Sequence, residues 1–409
     1  MAKFNMSMVS AFVAFQLFGI FPVMGIRKRD PLDLRFKWTS FRTIFSLLIT
    51  TVGIVMFYIE LERLDKVGAN AINTIGIVFY GTTVISMFLM INLARKWRPL
   101  AVRWELYDRS LVNERLVSGT KLSSIVRLLT AIFIVAGFFE HLLAKTSDGV
   151  SQYEEAVYCH WDVSNFLRYF ANRHYSFVPK TMRFNIFILL FFEFCNLALT
   201  MTWTCVDLTI ILVSVSLSVY FQRFNTKLDL FHGGISVVGE QFWIEIRKQY
   251  LQICNLVEAS SNLLAPLVIF SCGTNLYLIC FHLVTISWRA QNIPTMIKNW
   301  YSLVYMIFKT VAVLYSAAMV NETSKCSLRM LLRVPNAGWC LELDRFTNQL
   351  RTQQVALSGM GFFSLTKQTM LAMAGTVITY ELVMLKVTED TEGIGYVPPC
   401  SKLAFSKDY

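Results

Sequence analysis

The sequence predicts an all-α polytopic membrane protein with seven transmembrane helices, a cytosolic N-terminus and an extracellular C-terminus. Three observations predict it: a composition too apolar for a soluble chain, apolar blocks of bilayer-spanning length, and an uneven distribution of Lys and Arg between alternate connections. Hydrophobic residues are 55% and charged residues 16% of the 409, against roughly 25% charged in an average soluble domain. The blocks run to about twenty residues, enough at 1.5 Å of rise per residue to cover roughly 30 Å of hydrocarbon.

The first three spans are expected at Phe41 to Leu61, Asn73 to Ala94 and Ser123 to Ala144, each free of proline. The block from Phe184 to Tyr220 is too long for one perpendicular crossing and contains no Gly or Pro at which to turn back. It therefore reads as one long fourth helix that crosses once and projects into the cytosol. Span five covers Leu263 to Ile286, and Trp243, Ile246, Tyr250, Cys254 and Val257 recur before it at helical spacing, so its helix should continue below the membrane. Span six is Trp300 to Val320. Span seven is Thr366 to Leu385, preceded by a helix whose stripe is Leu343, Phe346 and Leu350.

Orientation follows from the basic residues. The connections on the N-terminal side hold 23 Lys and Arg against 12 on the other, and the richer side faces the cytosol. These boundaries divide the chain into a cytosolic segment, 1–40; a six-helix transmembrane bundle with cytosolic extensions, 41–320; a cytosolic loop and anchor helix, 321–365; a seventh helix, 366–388; and an extracellular tail, 389–409.

Several function classes are excluded. The net charge of +11 is scattered between apolar blocks rather than gathered on a soluble face, so no nucleic-acid partner is expected. No P-loop, HExxH, GxSxG or dinucleotide turn is present, and the nine cysteines lack metal spacing. The chain reads as no enzyme, with no metal or cofactor. The opening residues offer no small-residue cleavage site, so no cleaved signal peptide is expected.

The candidate functional residues are polar groups within apolar spans, since a charge at membrane depth must face protein or water. Glu140 and His141 end span three, and Glu193 and Asn196 share one face of span four. Asp207 and Lys309 lie deeper and read as a structural pair between spans four and six. Asn275, Tyr277, His282, Trp288, Trp300, Tyr301 and Tyr305 line the outer halves of spans five and six, where aromatic belts also place such residues. Convergence of Glu140, His141, Glu193, Asn196, Asn275, Tyr277, His282, Trp300 and Tyr305 would give an outward-opening cavity suited to a sugar. Its C–H faces stack on rings while its hydroxyls donate to carboxylates and accept from amides, indole or imidazole.

Span seven reads Gly375-Thr376-Val377-Ile378-Thr379-Tyr380-Glu381-Leu382-Val383-Met384-Leu385, then Lys386 and Val387. This resembles the C-terminal signature of insect gustatory receptors, a Thr-Tyr pair, five mainly apolar residues and Gln-Phe. The Thr379 to Val383 run is most similar to the sugar-sensing branch. The resemblance implies the insect chemoreceptor ion-channel fold and a tetrameric, sugar-gated, nonselective cation channel in the plasma membrane of gustatory neurons, as a homotetramer or with related subunits. It further implies membrane lipid and permeant cations as partners, an external sugar pocket within helices one to six, and a pore lined by Thr379, Tyr380, Val383 and Lys386. The cytosolic extensions would form an anchor whose apolar stripes bury against neighbouring subunits. Lys386 and Val387 depart from the family's Gln-Phe, and a ring of four lysines would repel a cation. A G-protein-coupled receptor and a secondary transporter are the rival readings. The first meets an inverted charge count and no NPxxY; the second meets no repeated halves, Pro266 and Gly273 being the only hint of a broken helix.

Overall fold

The computed structural model describes residues 4–28, 30–68, 74–112, 122–159, 185–230, 239–286 and 293–389. Its helices are α1 (Phe4–Leu17), α2 (Phe41–Val67), α3 (Ile75–Val112), α4 (Leu122–Tyr158), α5 (Ile186–Leu230), α6 (Glu240–Ile286), α7 (Ile293–Leu331), α8 (Leu341–Thr352) and α9 (Lys367–Glu389). Six of them, α2 to α7, are long and apolar enough to cross a membrane, and the chain is a multi-pass membrane protein. Helix α9 forms where span seven is expected but is not among those six.

Most expected spans continue beyond their apolar blocks. Helix α5 runs unbroken for 45 residues, about 68 Å at 1.5 Å each, as its lack of Gly and Pro leads one to expect. Helix α6 joins the amphipathic run and span five into one helix of 47 residues, with Pro266 inside it. The helix break that the rival transporter reading would place at that proline is not found. Helices α3, α4 and α7 extend 38, 37 and 39 residues.

Burial separates the centre of the bundle from its rim. In the most apolar window of α5, 94% of residues are buried, against 22% in α2. Helix α5 is the hub, packed on α2, α3, α4, α6 and α7, while α2 lies outermost and presents Phe41, Ile44 and Leu48 outward. Helix α2 starts at Ser40, whose hydroxyl accepts the Thr43 N–H at 3.3 Å, and stops at Gly68 in the positive-φ region. Both devices satisfy backbone groups that a helix end leaves bare. Many hydroxyls inside the bundle, including Thr130, Thr202, Thr209, Ser216 and Thr310, donate to the carbonyl one turn back, which removes their desolvation cost within a single helix.

Helix α1 was not expected. Its 14 residues are too short to span a bilayer, and search for spans alone passes over it. Phe4, Met8, Phe12 and Phe15 are buried, and Phe4 stacks on Trp104 with centroids 3.8 Å apart. Asp108 accepts the Phe4 N–H at 2.9 Å and the Tyr220 hydroxyl at 2.5 Å, so one carboxylate ties α1, α3 and α5 together and satisfies an orphan amide of α1. Residues 18–28 and 30–40 return from α1 to α2 as a tight strap. A Cβ on Gly25, at φ +84, would lie 2.3 Å from the Asp33 carbonyl oxygen, so only glycine fits there.

The expected anchor helices form, but their stripes are not free for neighbouring subunits. Leu343, Phe346 and Leu350 on α8, and Trp243, Ile246, Tyr250, Cys254 and Val257 on α6, are all buried within this one chain. Tyr250 meets Phe346 at 5.3 Å, and Glu342 forms an ion pair with the Arg247 guanidinium at 2.5 Å. The apolar period was right and its partner wrong: α8 folds back on α6 and α7 of the same chain. A two-stranded hairpin, β1 (Ser358–Gly359) and β2 (Phe363–Ser364), then leads into α9. The two glycosylation sequons, at Asn5 and Asn321, are engaged as well: each amide donates to a backbone carbonyl at 3.0 Å, Ala101 and Val355 respectively.

Candidate functional site

Polar side chains of α4, α5, α6 and α7 meet at the end of the bundle where α5 begins. The α5 contribution is a stripe at helical spacing, Glu193, Asn196, Thr200, Thr204 and Asp207. The α7 contribution is Lys298, Ser302, Tyr305 and Lys309. Gly137 on α4 lets these helices close up, since a Cβ there would stand 2.9 Å from the Thr204 hydroxyl and 3.2 Å from that of Tyr305.

Deepest in the cluster, Lys309 and Asp207 form the expected ion pair at 3.0 Å, with side chains 1% and 2% exposed. Asp207 also accepts from the Ser271 hydroxyl and, at 3.2 Å, from the Asn275 amide. The pair thus joins α5, α6 and α7, and assigns Asn275 to this network. Nearer the α5 start, the Tyr305 hydroxyl lies 3.2 Å from Thr204 and donates to the Phe133 carbonyl at 3.2 Å. Tyr301 stacks with Tyr305 and bonds the Ala136 carbonyl at 3.0 Å.

Glu140 faces the Ser302 hydroxyl and lies in the field of Lys309 and Lys298. His141 Nδ1 is 3.2 Å from the Thr200 hydroxyl, and Glu193 pairs with Lys145 at 2.9 Å. Asn196 is half-buried on the same α5 face, its carbonyl accepting the Thr200 hydroxyl. Glu140, His141, Glu193, Asn196, Asn275 and Tyr305 therefore lie on one contiguous set of helix faces.

Three other expected site residues lie apart. Trp300 is 51% exposed on the outer surface of α7, the position of an interfacial anchor. Tyr277 is directed to Tyr380 of α9 and to Thr74. His282 lies beside Lys298, its Nδ1 buried without a hydrogen-bond partner among the described residues. Trp288 lies outside the described residues. Sequence reasoning passed over Thr200, Thr204, Ser271, Ser302, Gly137 and Lys145, although the hydroxyls stand in register with residues it did select.

Of the expected pore residues, Thr379 is exposed and bonds the Gly375 carbonyl at 2.9 Å, and Tyr380 is 44% exposed. Val383 and Lys386 belong to α9, and their side chains lie outside the described residues. Helix α9 touches α6 and α7 through Met370, Met373 and Val377, while Leu371 and Ile378 face outward.

The fold has a solved counterpart. An insect olfactory receptor, OR5 from Machilis hrabei, determined in complex with eugenol, superposes with a TM-score of 0.67 over 92% of this chain and 97% of its own, at 12% identity. The two chains share a fold. A model of the trehalose receptor family matches residues 2–395, and the chain belongs to that family. It is 32% identical to the Drosophila melanogaster gustatory receptor for sugar taste 64a over 94% of this chain and 85% of that one, and 29% identical to receptor 64f over 95% and 82%. The family is one of gustatory sensory receptors, not of enzymes.

Proposed function

We propose that the chain is a subunit of a sugar-gated, nonselective cation channel in the plasma membrane of gustatory neurons. It assembles as a tetramer, alone or with related subunits, crosses the membrane seven times with its N-terminus inside, and lines the pore with α9. The observation that supports this reading is the polar convergence of α4 to α7 in a chain of a sugar-receptor family, beside a C-terminal helix that exposes Leu371, Ile378 and Tyr380. Glu140, His141, Glu193, Asn196 and Tyr305 supply the acceptors, donors and ring face that a sugar needs. Asn275 braces the site through Asp207, while Tyr277 and His282 stand toward α9 and α7, where ligand-induced movement reaches the pore helix.

Expression alone and with related subunits, with current recorded while mono- and disaccharides are applied, tests this. Sugar-evoked cation current is expected, and a complete lack of it in every combination with normal surface levels removes the channel reading.

The pore assignment has its own test at Lys386. If α9 lines the path, this lysine stands near the external mouth, lowers the local cation concentration and is screened by salt, the Debye length being about 10 Å at 0.1 M. Lys386→Gln is expected to raise current, most at low ionic strength, with little change in the half-activating sugar concentration. Equal currents for Lys386→Gln, Lys386→Glu and the parent at every salt concentration take Lys386 out of the pore.

A further inference from the structure

The strap, the last turns of α1 and the start of α2 enclose a cavity of about 450 Å³, within the range of roughly 300–1,000 Å³ that holds small ligands. It lies away from the polar cluster and plays no part in the function proposed above. Its walls divide by chemistry. Val13, Leu17, Ile20, Phe41 and Phe45 form an apolar side, and Arg27, Lys28 and Arg42 form a basic one.

The basic side is built. Gln16 donates to the Phe21 carbonyl at 3.3 Å and to the Val23 carbonyl at 2.6 Å, fixing the strap over α1. Arg42 donates through one nitrogen to the Val23 carbonyl at 2.8 Å. That bond holds the guanidinium at the cavity and leaves its other N–H groups for a ligand. Lys28 is matched by Asp33 at 3.6 Å, whereas Arg27 has no ion pair among the described residues. The apolar side opens on Leu17 and Phe41, both exposed, and continues along Ile44 and Leu48 of the lipid-facing α2.

We propose that this cavity binds an anionic membrane phospholipid, with the phosphate between Arg27 and Arg42 and the acyl chains running along Phe41 and Phe45 into the bilayer. Guanidinium groups bind phosphate through paired N–H donors, and basic pockets at the cytosolic ends of spans select acidic headgroups. The choice of leaflet rests on the orientation proposed above; the binding chemistry does not. An occupied cavity bridges α1 and the outermost helix α2, and so makes the seating of α2 dependent on lipid.

The test uses the full-length chain purified in detergent, incubated with phosphatidylserine and phosphatidylcholine together, with retained lipid identified by native mass spectrometry. Phosphatidylserine should be retained in preference. Arg27→Gln, at an exposed position, should lower that preference roughly fivefold, while Lys325→Gln, an exposed basic residue elsewhere, should leave it unchanged. Val13→Trp fills the cavity without touching its charges and should lower retention as well; Arg27→Gln carries the test if that variant misfolds. Equal retention of the two lipids, equal loss in Arg27→Gln and Lys325→Gln, or displacement of phosphatidylserine by inorganic phosphate would each overturn the proposal, the last by revealing a soluble-anion site. None of these readings depends on sugar or on current, so failure here is distinct from failure of the channel reading.

Discussion

Lys309→Met alone is expected to remove most of the protein from the cell surface, and the double variant Asp207→Leu, Lys309→Met to restore most of it. Lys309 and Asp207 are 3.0 Å apart and almost fully enclosed. Removing the lysine leaves a carboxylate with only the Ser271 hydroxyl and the Asn275 amide. Breaking a buried pair typically costs about 3 to 5 kcal/mol, whereas replacing both members by apolar groups of similar size is often neutral. Recovery should fall short of complete, because Ser271 and Asn275 lose an acceptor in the double variant. Surface biotinylation of the two single variants and the double one decides the matter. Parental surface levels for Lys309→Met would show that the pair does not hold the bundle together.

Glu193→Ala is expected to raise the half-activating sugar concentration by roughly tenfold or more at unchanged surface level. Loss of one buried hydrogen-bonding partner costs about 1 to 3 kcal/mol, and about 1.4 kcal/mol is a factor of ten. The ion pair with Lys145 supplies the control. If Glu193 serves only as the partner of Lys145, then Glu193→Ala, Lys145→Gln and the double variant should behave alike. If the carboxylate takes a sugar hydroxyl, Lys145→Gln keeps that acceptor and shifts the response less than Glu193→Ala does. Matched shifts in both single variants, with no further change in the double, would assign Glu193 to structure.

The sequence made the long helices legible because their cause is local. A block without Gly or Pro stays helical whatever packs against it, as in α5, and the amphipathic run before span five fused with that span because residues 258–262 between them hold neither, the helix then continuing through Pro266. The Asp207–Lys309 pair was legible because two opposite charges at membrane depth have few other solutions. Partner identity was much less so. Leu343, Phe346 and Leu350 mark a buried stripe without saying which chain covers it, and the cover is α6 and α7 of the same chain. Aromatic residues divided in the same way: Tyr305 turns inward to Thr204 and Phe133, while Trp300, five residues earlier on the same helix, turns out. Hydroxyls were overlooked because a lone Thr in a span usually bonds its own helix, and Thr200 does so while also meeting His141.

The position of Asp207 in the hub helix bears on how the chain is made. Its partners Ser271, Asn275 and Lys309 all lie later in the sequence, on α6 and α7. At roughly 5 to 20 residues per second, the hundred or so residues separating Asp207 from Lys309 take about 5 to 20 s to synthesise. Through that interval α5 carries a carboxyl group at membrane depth without its lysine partner, so it must be sheltered by water or by the insertion machinery, or held protonated, rather than released into lipid as a charge. The central helix of the finished bundle thus gains its last polar partner only once α7 has been made.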